Sequence, residues 1–278
     1  MLYSTLSLGL TLSATVLAAD CTRESLQAGA DSLVAAQKAG DASLLKPVSD
    51  DVVYNQNHAK GDYKTGILAT ALPIDHSRSS LDTTQCATYT EIISATATKP
   101  YVVGVQMHWT GDSITKIDTL TTSTGDWLFN ASGTLKWASQ EKWDTIPEDE
   151  RDSREVIQAA ADAYCDVFSD KSVTVPWGHP CARLEGGSYT GNGGENDSCD
   201  VGIPSGVSLT DRHYVIDETV GAVDVMLSFA GIPDSHEFRV EKGKLRYVHT
   251  LTVMTAKGAG KRRGVHRRGA VADMQRYA

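Results

Sequence analysis

This 278-residue chain lacks the short signatures that most often announce a chemistry. It has no Gly-x-Ser-x-Gly elbow, no phosphate-cradling loop and no His-Glu-x-x-His. Gly191-x-Gly193 lacks the third glycine of a dinucleotide fingerprint, so no nucleotide cofactor is expected. Close ligand spacing of the His-x-x-x-His kind is also missing. A metal held by His236, His249 and a carboxylate is therefore the weaker alternative to a cofactor-free and metal-free site. Positive charge is scarce over most of the chain: residues 257–278 hold seven of the 26 Lys and Arg but one of the 35 Asp and Glu. The remainder carries 19 basic and 34 acidic residues, formally −15, which argues against nucleic acid as a partner. Beyond the N-terminus no segment approaches the roughly 20 apolar residues that cross a bilayer, so no membrane partner is expected.

The first nineteen residues contain no charged side chain and run from Leu6 to Leu17 as an apolar stretch ending in Val16-Leu17-Ala18-Ala19. That pattern predicts a cleaved signal peptide at 1–19 and a secreted, extracellular protein. Two sequons, Asn130-Ala131-Ser132 and Asn196-Asp197-Ser198, are then candidate glycosylation sites. Five cysteines suit an oxidising compartment but not a disulfide-dense scaffold, because a chain this long can bury a real core. Cys181 and Cys199 bracket the Gly-rich stretch 186–202, and Cys21 and Cys86 are the only cysteines of the first half, so these two pairs are the expected bridges. In the tail, Lys261-Arg262-Arg263 and Arg267-Arg268 read as dibasic processing sites, with a solvated tail as the plain alternative.

Arg23-Glu24-Ser25-Leu26-Gln27-Ala28-Gly29-Ala30-Asp31 returns 131 positions later as Arg154-Glu155-Val156-Ile157-Gln158-Ala159-Ala160-Ala161-Asp162, which points to internal duplication. Both copies read as amphipathic helices; in the second, Ile157, Ala161, Tyr164, Cys165 and Phe168 share a face, with Asp152 and Ser153 placed to cap it. Cys165 falls where the first copy has Val34 and reads as a buried hydrophobe rather than a nucleophile. After each helix the period changes to two. Tyr101 to Trp109 and Ile114 to Leu120 are strands in the first half; Tyr214–Asp217, Val223–Phe229, Glu237–Val240 and Leu245–Val253 are strands in the second. The expected fold is α+β: two tandem domains, each a helix with a curved, cone-like antiparallel sheet, at 20–145 and 154–256. An acidic connection at 146–153 joins them and a basic tail follows at 257–278.

Val175-Pro176-Trp177-Gly178-His179-Pro180-Cys181-Ala182-Arg183-Leu184-Glu185-Gly186-Gly187, with Asp234 to Arg239 and Leu245 to Thr250, resembles a family of secreted fungal proteins of unassigned function. More distantly, the order of helix and then curved sheet resembles the nuclear-transport-factor-like cone of SnoaL-type cyclases, ketosteroid isomerases and scytalone dehydratase. That second resemblance rests on architecture and implies a ligand pocket inside the cone, not a particular reaction.

Candidate chemistry centres on the last hairpin. A two-residue turn at Lys242-Gly243 sets Glu241 opposite Lys244, Val240 opposite Leu245, Phe238 opposite Tyr247 and His236 opposite His249. The two imidazoles then lie side by side on an apolar face, as a general acid/base pair, with Tyr247 to polarise a carbonyl and Asp217 or Asp224 to orient a histidine. Phe238, with Trp177 and Arg183 from a loop at 176–187, would line the ligand site; Arg183 with Glu185 also reads simply as an ion pair. On the other face Arg239 and Arg246 become neighbours that call for anions, from this protein in an inter-domain or homodimer contact or from a carboxylate ligand. In the first half Arg78, Asp82 and His108 read as structural. The leading functional expectation is a cofactor-independent isomerase, lyase (dehydratase) or cyclase acting on a small, partly apolar molecule. The alternative is a secreted ligand-binding or interaction protein that turns nothing over.

Overall fold

The computed structural model describes residues 21–254, and the expected signal peptide and basic tail lie outside the described residues. The chain opens with helix α1, Arg23–Ala39. Thr22 caps it by accepting a hydrogen bond from the Ser25 amide, and Gly40 ends it at φ 65°, where a Cβ would collide with the Ala71 backbone. Strands β1 (Val48–Gln56), β2 (Ala59–Lys60), β3 (His76–Asp82), β4 (Ala87–Ser94), β5 (Tyr101–Thr110) and β6 (Ser113–Thr122) follow. A short helix α2, Ala131–Ala138, and a connector lead to helix α3, Arg154–Asp166. The second half then repeats the plan with β7 (Trp177–Glu185), β8 (Ser188–Tyr189), β9 (Leu209–Asp217), β10 (Ala222–Phe229), β11 (Ile232–Glu241) and β12 (Lys244–Thr252).

The two six-stranded sheets have the same order, β2-β1-β6-β5-β4-β3 and β8-β7-β12-β11-β10-β9, so two similar α+β halves stand in tandem. Neither sheet is wholly antiparallel as expected: β1 pairs parallel with β6, and β7 parallel with β12. These strands are far apart in the chain, and only strands joined by tight turns are obliged to run antiparallel. Residues 177–185, expected as a loop, form β7. Pro180 is tolerated because the register against β12 slips between Trp177 and Ala182, and β8 pairs only with Leu184 and Glu185.

Each sheet packs one face on its own helix. In the second half Ile157, Ala161, Tyr164, Cys165 and Phe168 of α3 meet Val223, Val225, Phe238, Val240 and Val248. Each such fully buried large side chain contributes ~1.5–3 kcal/mol. Of the two expected caps, Ser153 precedes the helix without a capping bond, and Asp152 instead accepts a hydrogen bond from the Gly243 amide, tying the last hairpin to the helix start. Both expected disulfides are present, Cys21–Cys86 and Cys181–Cys199, while Cys165 is free and buried. No helix among the described residues is long and apolar enough to cross a membrane.

The opposite faces of the two sheets pack against each other about an approximate two-fold relationship. Arg23 of the first half grips Asp217 of the second (2.7 and 2.9 Å), and Arg154 of the second grips Asp82 of the first (2.8 and 2.7 Å). The same carboxylates accept reciprocal amide bonds, Leu81 to Asp217 and Ile216 to Asp82. Such mutual contact is the geometry of an isologous dimer, here built within one chain.

Candidate functional site

The last hairpin decides where the histidines go. Its turn forms as expected, with Lys242 and Gly243 both at positive φ (53° and 69°), and Glu241 faces Lys244 while Val240 faces Leu245. Beyond that point Arg239 pairs with Tyr247, leaving Arg246 as the extra residue of a β-bulge. Phe238 therefore faces Val248, His236 faces Thr250, and Glu237 faces His249. Because side chains alternate, the one-residue slip sends Tyr247 and His249 to the opposite face from His236, and the expected imidazole pair does not form. Arg239 and Arg246 are not partners either: Arg239 holds Glu241 (2.6 Å) and the Asp144 carbonyl (3.0 Å), and Arg246 lies over the Tyr247 ring at 4.1 Å.

His249 and Tyr247 lie between the halves. His249 contacts Glu91 at 3.0 Å through Nδ1 and Glu141 at 2.7 Å through Nε2. Trp143 stacks on Tyr247 with ring centroids 5.7 Å apart, and the Arg78 guanidinium sits 3.5 Å over Trp143. Burial pulls the His249 pKa down, but the carboxylates of Glu141 and Glu91 prevail and raise it to about 10. Burial also raises Glu237 despite its bidentate bond to Arg78 (2.8 Å), and pushes Asp224 well above the carboxylate range. Glu91, Glu237 and His249 bring ligand atoms within 4.8 Å of one another. The set does not fit a metal, because Arg78 and a protonated His249 already supply the positive charge there. Asp217, expected to orient a histidine, is spent on Arg23 and the Leu81 amide. This region joins the two halves, with Arg78 bonded to Glu237 and Asp82 to Arg154.

His236 remains on the face that meets α3, and a different constellation surrounds it. Asp234, two residues earlier on β11 and so on the same face, brings Oδ2 to 2.8 Å from His236 Nδ1 without hydrogen-bond alignment. The Tyr164 ring lies 5.4 Å from the imidazole, Phe238 stacks beside it at 6.0 Å, and Trp177 meets Tyr164 edge-on at 5.8 Å. Arg183 and Thr250 complete the lining from the neighbouring strands β7 and β12. A cavity of about 30 Å³ opens here between Trp127, Phe168, Phe229, Glu185 and the 202–204 segment. Of the expected ligand-lining residues, Arg183 borders it, and Phe238 and Trp177 form its second layer around Tyr164.

The polar atoms of this interior are under-used. Tyr164 Oη, Arg183 Nε, Asp234 Oδ2, His236 Nδ1 and Thr250 Oγ1 are all buried and have no hydrogen-bond partner within the protein. Each such atom costs on the order of 1–3 kcal/mol. Burial pushes the Tyr164 phenol up, so it stays protonated and can only donate or accept a hydrogen bond. Arg183 is held by Glu185 and by the carbonyls of Cys199 and Val201, which fastens the disulfide loop over the cavity.

Matching strand registers between the halves supplies an internal control. Asp234, His236 and Arg183 occupy the positions of Val103, Val105 and Tyr54, and the helix repeat sets Tyr164 on Leu33. The first-half residues are all members of one buried core cluster. The Asp234, His236, Arg183 and Tyr164 constellation therefore belongs to the second half, while Thr250 has a buried threonine counterpart in Thr119.

Residues 150–252 match a family model described as a domain of unknown function, DUF8021. No curated protein matches the chain. The matched segment runs from the connector to the end of β12 and contains every residue of the polar interior. Asp234 and Tyr164 were missed as site residues in the sequence, although both were signalled: Asp-x-His puts two polar groups on one face of a strand, and Tyr164 breaks the helix repeat at a position where the first copy has leucine.

Proposed function

We propose that the second half encloses an acid/base site for a small, partly apolar organic molecule inside a cone-like sheet, in the manner of cofactor-independent isomerases, lyases or cyclases. His236 is the proton carrier, Asp234 positions its imidazole, and the Tyr164 hydroxyl and Arg183 offer hydrogen bonds to a carbonyl or developing oxyanion. The observation that carries this reading is that Asp234 and His236, in close but unaligned contact, lie with the unbonded Tyr164 hydroxyl and Arg183 Nε at positions where the duplicate half has Val103, Val105, Leu33 and Tyr54. Apo hydrogen bonds at such sites are commonly misaligned until substrate arrives, which suits the close but unaligned Asp234–His236 contact.

A second reading is favoured by the small size of the cavity. About 30 Å³ holds little more than a water, so any organic ligand must displace Phe168, Phe229 or the 202–204 segment on entry. That suits a secreted protein that captures a ligand without turning it over. Secretion is supported by the two disulfides, and both sequon asparagines, Asn130 and Asn196, are exposed, with Asn130 accepting the Gly133 amide as the cap of α2.

Both readings are tested by incubating the purified protein with a panel of alicyclic and aromatic ketones and hydroxy acids in deuterated water. Deuterium appearing beside a carbonyl, or loss of water from a hydroxy acid, with the wild type but not with His236→Gln, supports acid/base catalysis. Ligand-induced shifts of the His236 ring signals with no exchange or turnover support capture alone. If no panel member perturbs those signals, the small-molecule site is rejected in both forms.

A further inference from the structure

The two-fold relationship between the halves creates two equivalent grooves. One is filled by the connector after α2, whose Trp143 and Glu141 lie against Arg78, Tyr247 and His249. The register equivalents of those three residues are His213, Lys116 and Asp118, and they line the second groove with His58, Asp211 and Met226. This groove measures about 220 Å³, and no described residue fills it.

The connector follows β6; its counterpart in the repeat is the chain that follows β12. Val253, one residue past β12, packs in a cluster with Leu120 and Met226, both of which line the groove. The chain thus leaves the described region beside the groove and continues for 24 residues, 255–278. The two grooves carry different charges. The filled one pairs Arg78 and His249 with Glu237 and Glu91 and receives Glu141. The second presents Asp118, already bonded to Lys116 at 2.6 Å, and the exposed Asp211, while residues 257–278 carry seven Lys and Arg and one Asp.

We propose that this groove is the docking site of the chain's own basic segment 257–278, with Asp118 and Asp211 as its anchoring carboxylates.

The test is zero-length carbodiimide cross-linking of the full chain, with an intact mass showing that residues 257–278 are present. The expected result is an intramolecular link from Lys257 or Lys261 to Asp118 or Asp211. Removing two partly exposed ion pairs in Asp118→Asn/Asp211→Asn should lower the yield of tail links at least about five- to tenfold, whereas Asp50→Asn/Asp51→Asn, at exposed acids outside the groove, should not. Three outcomes overturn the proposal: tail links spread over other acidic residues, links unaffected by the groove substitutions, or links found only between two copies of the chain.

Discussion

Asp82 and Asp217 hold each other's arginine. Each sits at the end of its β-strand, almost fully buried, and each accepts a bidentate guanidinium from the helix start of the opposite half. Removing one partner of a buried pair strands the other charge. Arg154→Met should therefore cost about 3–5 kcal/mol, by the usual penalty for breaking a buried pair. Arg23→Met should cost less, since Arg23 is 35% exposed against 16% for Arg154 and water can replace it. Urea unfolding measures both, and equal costs would contradict the burial argument.

The junction around His249 predicts a pH dependence. Its folded pKa, about 10, lies above the unfolded 6.5, so the stabilisation is complete below pH 6.5, falls as pH rises, and is lost through about 10. Glu91 is shifted the other way, from 4.5 to about 2, because His249 and Arg78 outweigh its desolvation, so its contribution is lost only as pH falls through that interval. The stability gap between wild type and His249→Gln should be largest between 4.5 and 6.5 and close towards pH 10. A gap that widens with rising pH would refute the charged imidazole.

Tyr164→Phe removes a fully buried hydroxyl that has no partner. It should stabilise the fold by up to about 1 kcal/mol, because an unpaired polar atom leaves the interior while the ring packing stays. The same variant should lose ligand-induced shifts at His236. Destabilisation would mean that the hydroxyl is satisfied in solution.

How much of this was legible in the residues depends on range. Helix α3, the turn at Lys242-Gly243 and Cys181–Cys199 follow from local pattern, and Cys21–Cys86 from the first half holding two cysteines. The hairpin register was right for two pairs and then failed at Arg246, because a bulge inserts one residue without any compositional mark. That single residue moved Tyr247 and His249 out of the site. In the sequence β7 reads as a loop because Pro176, Gly178 and Pro180 oppose a ladder, whereas the strand is slack just where they stand. Asp217 reads as the partner of a histidine nearby in the chain, yet it pairs with Arg23, 194 positions away.

The two disulfides should differ in kind. Cys21–Cys86 closes a separation of 65 residues and Cys181–Cys199 one of 18, so the loop-entropy estimate gives about 4 and about 3 kcal/mol respectively. Replacing the second pair by alanine should also free the loop that Arg183 holds over the cavity, and hydrogen exchange at residues 197–204 should rise more than global stability falls. Unchanged local exchange would show that Arg183 alone secures the loop.

Joining the two halves in one chain changes the arithmetic of substitution. In a dimer of identical subunits every mutation appears twice, and a polar group placed in the interior burdens both copies. Here Asp234 and His236 appear once, while Val103 and Val105 keep the matching positions of the opposite half apolar. A covalent pair can thus carry one costly interior and remain folded, with the other half serving as its ballast.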